Sequence, residues 1–123
     1  MSERVWVRSV HQVALSSQPG IKGSFGRLIQ PSAENGGLVM GKGVLPPGCD
    51  MGWHAHPEPE VFFVLEGKGE ASWEEGGQRH TAKLEPGSAF FKMGGIEHRM
   101  ANTGFRDLVG VFVKIAATKC IDR

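Results

Sequence analysis

Turn residues punctuate this chain throughout, and no helical periodicity runs between them. Of 123 residues, 18 are glycine and 7 are proline, with no Gly-X-Y period and no low-complexity tract. Nowhere do apolar residues keep a 3.6-residue spacing over roughly eleven positions, as an amphipathic helix requires. The apolar and β-branched runs are about five to eight residues long, with turn signals roughly every eight to twelve. A chain built this way is all-β, and short strands with tight turns fit a sandwich or a barrel.

At 13.3 kDa the chain makes one domain, residues 1–123, with one core and no internal repeat. Its net charge of +1 gives no basic face for nucleic acid. No apolar run approaches the roughly eighteen residues of a membrane span. The opening MSERVWVRSV carries charges where a signal peptide has its apolar stretch, so a cytoplasmic protein is expected. Cys49 and Cys120 are far apart and in no paired motif, which suits free thiols in a reducing compartment.

Along the chain, residues 4–15 are valine-rich and read as a strand or strand pair. Residues 16–26 read as a loop around Pro19-Gly20 and Gly23, and 25–30 as a short strand. Further strands are expected at 38–45, 61–66, 70–75, 78–84, 89–91, 96–102 and 107–115, with a loosely held polar tail at 116–123. Gly41 and Gly43 inside a strand point to a bulge or a close backbone approach. His11 and His80 have no ligand partner nearby and read as surface histidines.

Two stretches carry chemistry. Residues 48–67, GCDMGWHAHPEPEVFFVLEG, place His54 and His56 two apart in an extended segment, so both rings face one way. Pro57 and Pro59 break that segment, and Glu60 opens the next run. Residues 87–102, GSAFFKMGGIEHRMAN, add His98. The first stretch resembles the first cupin motif, G-x5-H-x-H-x3-E-x6-G, at Gly48, His54, His56, Glu60 and Gly67. The second resembles the other cupin motif, G-x5-P-x-G-x2-H-x3-N, at Gly87, Gly95, His98 and Asn102, with Met93 where the family has proline. The resemblance implies a single-domain cupin, a double-stranded β-helix or jelly-roll-like barrel. It also implies that His54, His56, Glu60 and His98 hold one divalent metal, and that two copies form a homodimer.

Such a nitrogen and oxygen set suits Fe, Mn, Ni, Co or Zn, and four protein ligands leave room for water, dioxygen or a chelating substrate. Strand alternation puts Phe62 and Val64 on the face of Glu60, and Met100 and Asn102 on that of His98; with Lys42 these are the pocket candidates. Some cupin lyases use a tyrosine where Phe62 stands, and this chain has no tyrosine. No acid or base stands out. Lys42, Lys92, Glu58 and Arg99 are candidates, each reading first as a solvated strand-edge charge. The expectation is a small-molecule metalloenzyme with a lean to dioxygenase-like chemistry. The alternatives are a non-redox isomerase, decarboxylase or lyase acting on a sugar acid or polyketide-like substrate, and a ligand-binding module without chemistry.

Overall fold

The computed structural model describes residues 4–18 and 21–116. The strands are β1 (Ser16–Gln18), β2 (Ile21–Ile29), β3 (Leu38–Leu45), β4 (Glu60–Glu66), β5 (Gly69–Glu75), β6 (Gln78–Leu84), β7 (Ala89–Lys92), β8 (His98–Asn102) and β9 (Leu108–Ile115). They pair antiparallel into a six-stranded sheet, β1-β2-β3-β9-β4-β7, and a three-stranded sheet, β6-β5-β8. Residues 50–54 extend the smaller sheet, through bridges from Asp50 to Ala101 and from His54 to His98. This is the two-sheet barrel of a double-stranded β-helix.

Burial alternates along β3, where Val39 and Leu45 are fully enclosed, as expected of a strand with one face on a core. The core joins Leu45, Phe62, Val64, Phe90 and Leu108 of the larger sheet to Ala71, Leu84 and Met100 of the smaller one. Enclosing each large apolar side chain contributes about 1.5–3 kcal/mol. Register then sets the inner face of the larger sheet in rows. One row runs Arg27, Gly41, Phe112, Phe62, Phe90, and the next runs Val39, Lys114, Glu60, Lys92. A β-carbon on Gly41 would overlap the Phe112 ring, and one on Gly110 the Phe62 ring. Those glycines are the space into which the rings fold.

The N-terminal reading is corrected. Residues 4–15 form no strand; they hold a 3-10 turn, Val10–Gln12, capped by the Ser9 hydroxyl. Val5 and Val7 are 91% and 97% exposed, so strand propensity there has no surface to pack on. The expected loop at 16–26 is instead β1 and most of β2, because Ser24 to Ile29 finds a partner in β3. Pro19-Gly20, Cys120 and most of the expected loose tail lie outside the described residues. Among the described residues no helix is long and apolar enough to cross a membrane.

Candidate metal centre

His54 and His98 face each other because their backbones do. The His54 amide donates to the His98 carbonyl at 3.0 Å and the His98 amide returns the bond at 2.8 Å. Such a pair carries both side chains on one face. His56 is held from the other motif, whose Gly95 amide donates to its carbonyl at 2.8 Å. A β-carbon on Gly94 would overlap the Pro57 carbonyl oxygen, so the turn before His98 closes on the His56 segment only with glycine. Met93, in the place of the family's proline, stands outward at 61% exposure. The ring centroids lie 4.4 Å (His54–His98), 5.0 Å (His56–His98) and 6.0 Å (His54–His56) apart.

All three rings share one hydrogen-bonding pattern. Nδ1 of His54, His56 and His98 lies 3.2, 2.9 and 2.8 Å from the carbonyl oxygens of Gly52, Glu58 and Ile96. A carbonyl can only accept, so each Nδ1 carries the proton and each Nε2 keeps its lone pair. This second-layer bonding is what orients a metal-binding imidazole. The three residues offer ligand atoms all within 4.8 Å of one another. Burial, before any charge effect, holds the His98 pKa down at about 4, which keeps that ring neutral.

Glu60 stands beside this group. Its Oε1 is 3.3 Å from His56 Nε2 and 3.2 Å from Lys92 Nζ. Lys92 is 6% exposed, and burial pulls its pKa down while Glu60 acts the other way. Reading Lys92 as a solvated edge charge is therefore wrong. The β7 alternation points Phe90 and Lys92 inward together, and the ammonium lies 4.4 Å from the Phe90 ring centre.

The histidines and Glu60 open on a cavity of about 740 Å3. Its walls include the expected Phe62 and Met100, together with Phe25, Phe112, Arg27 and Lys114, which the sequence reading missed. The other three pocket candidates lie elsewhere. Val64 is enclosed in the core. Lys42 alternates with Gly41 and Gly43, which face inward, so it points out of the barrel. Asn102 is a buried tie: Nδ2 donates to the Leu45 and Arg106 carbonyls at 2.7 and 2.8 Å, and Oδ1 accepts from the Gly104 amide at 2.8 Å.

The remaining candidates serve structure too. Arg99 grips Asp50, with Nε 3.0 and 2.9 Å from its two oxygens and Nη2 2.7 Å from Oδ2. That bond holds the Asp50 carboxyl below its usual range and braces the segment leading to His54. Glu58 sits with Oε1 3.5 Å from His56 Nδ1. Cys49 is a free thiol packed on the edge of the core, raised in pKa by burial. His80 stacks on Trp73 and is exposed.

The cupin domain model matches residues 41–114, which hold both motifs and all of these histidines. The chain belongs to the cupin superfamily. Among solved structures, this cupin is similar to a predicted oxalate decarboxylase from Thermotoga maritima, at 23% identity and a TM-score of 0.74, over 89% of this chain and 98% of that one. It is also similar to the Cnp3 cupin domain of Schizosaccharomyces pombe, at 19% identity and a TM-score of 0.77, over 95% and 78% of the two chains. A double-stranded β-helix protein from Klebsiella pneumoniae aligns at 19% identity and a TM-score of 0.70, over 93% and 90%. At these identities the likeness is one of fold. No curated protein matches the chain.

Proposed function

We propose that this cupin is a metal-dependent enzyme acting on a small molecule, with one divalent transition ion held by His54, His56, His98 and Glu60. The observation that carries it is the shared bonding: three rings with Nδ1 against backbone carbonyls, an arrangement that leaves each Nε2 for one ion in the cavity they line. The donor set fits Fe, Mn, Ni, Co or Zn. When bound, the ion would supply a Lewis acid or, if redox-active, a centre for dioxygenase-like chemistry. Around it, Phe62, Phe90 and Phe112, with Met51 and Met100, give the cavity an apolar lining that disfavours water.

A second reading, non-redox isomerase, decarboxylase or lyase chemistry, gains support from Lys92. A buried ammonium beside Glu60 can steady an anionic oxygen on the substrate, a role that the sequence reading of Lys92 as a solvated edge charge left out. The expected homodimer no longer has a valine-rich strand at 4–15 to rest on. Among the exposed apolar side chains, Phe63 and Phe91 lie together on the outer face of β4 and β7 and offer a partner a sheet surface instead.

Elemental analysis of protein purified without added metal tests the reading. About one ion per chain is expected, and His98→Ala should lose it. Iron with oxygen uptake on diketone or catechol-like compounds would favour the redox branch. Zinc, nickel or manganese with turnover and no oxygen uptake would favour the other. A wild-type chain that binds no divalent ion, or a His98→Ala chain that binds as well, would refute the metal centre.

A further inference from the structure

The cavity carries more positive charge than its one carboxylate can answer. Register places a lysine directly across from Glu60 on each side, Lys114 on β9 and Lys92 on β7. Opposed residues in a ladder have β-carbons about 4.5–5.5 Å apart, so two ammonium groups compete for one acid. Lys92 takes it, at 3.2 Å. Among the described residues, Lys114 has no carboxylate within ion-pair range. Arg27 also lines the cavity, and its guanidinium bonds the uncharged Gln30 side chain at 3.4 Å. Three cationic side chains thus share the cavity lining with a single carboxylate, Glu60, and an ion on the histidines would draw on that same carboxylate. Such an excess inside a walled cavity attracts an anion and leaves a neutral guest with unpaired charges around it.

The next row supplies the other half of the recognition. Phe112 and Phe62 sit two residues along from Lys114 and Glu60, on the same face of their strands, and Phe25 meets Phe112 edge-to-face at 6.3 Å. A guest held at Lys114 therefore lies against aromatic walls and within reach of the histidines. We propose that the cavity's ligand is a small organic carboxylate, its acid group seated on Lys114, the lysine that Glu60 leaves unanswered, and its apolar body against Phe112 and Phe25. This rests on the metal reading and names the substrate class of that site.

Phenylacetate and its neutral amide, phenylacetamide, separate charge from shape. Isothermal titration of the metal-loaded protein should show the acid binding at least about tenfold more tightly than the amide, as a charge-assisted hydrogen bond warrants. Lys114→Met should lose most of that preference while keeping its metal, and Lys114→Gln serves if the first variant folds poorly. Equal binding of acid and amide, no binding of the acid, or a preference that survives in the Lys114 variants overturns the proposal. In the last case the acid is binding the ion alone. Elemental analysis of the same samples judges the metal reading separately. An ion present without the acid preference defeats only the carboxylate assignment, and an ion absent from the wild type defeats the metal centre.

Discussion

The metal-free barrel should weaken steeply in mild acid, and His98 sets the window. The ring is 3% exposed, and burial holds its pKa at about 4 against an ordinary 6.5. As pH falls below 6.5 the unfolded chain takes up a proton that the folded chain refuses until pH reaches about 4. The unfolded state binds more protons throughout that interval, so unfolding free energy drops as pH falls. At about 1.36 kcal/mol per pH unit the loss comes to roughly 3 kcal/mol, a large share of the 5–15 kcal/mol typical of a domain. Above pH 6.5 this ring adds no pH dependence. Asp50 acts lower: Arg99 depresses its carboxyl below 3.8, so the stability it brings is lost only in stronger acid. Urea unfolding of metal-stripped protein in steps from about pH 7 to pH 4, for wild type and His98→Leu, isolates the effect. The wild type should lose roughly 3 kcal/mol more than the variant over that range. Parallel stability curves would refute the claim that burial, rather than some other group, is what the falling pH works against.

Three further outcomes follow from the packing. Asn102→Ala removes three hydrogen bonds, one buried and two part-buried, and takes the partner from two carbonyls, so it should cost about 3 kcal/mol and lower Tm by roughly 10 °C in calorimetry, with metal content unchanged. Lys92→Met takes the buried ammonium from the Glu60 carboxylate and should cost about 3 kcal/mol in metal-free protein. Saturating divalent metal should shrink that loss if Glu60 ligates the ion, and equal losses in both states would argue that it does not. Gly110→Ala drives a methyl into the Phe62 ring and against the Phe63 carbonyl oxygen and should cost about 2 kcal/mol; adding Phe62→Leu should restore only part of it in denaturant melts, because the backbone contact remains.

What could be read from the sequence divides along a physical line. The bounds of β3 and β6 and the placement of the histidine motifs follow from turn residues and fixed spacing, which are local. The inner rows depend on which strands neighbour one another, and single-strand alternation does not carry that information. Lys92 shows the consequence. In AFFK it is a charge at the end of a short strand, and only the pairing of β7 with β4 turns it onto Glu60. Asn102 misleads in the opposite sense. Alternation puts it on the side of His98, yet its amide is consumed by Leu45, Arg106 and Gly104, so the motif position maintains the barrel rather than lining its cavity. The N-terminal stretch fails for want of a neighbour. Val5 and Val7 have strand propensity, but Arg8 lies 3.9 Å over the Trp6 ring and the Ser9 hydroxyl caps a turn, local contacts that need no sheet. Propensity becomes a strand only where another strand offers its edge, as β3 does for the glycine-rich segment that became β2. The same rule governs the site: His54 reaches His98 through a backbone bridge, so the histidine cluster depends on the pairing of residues 50–54 with β8 as much as on the side chains themselves.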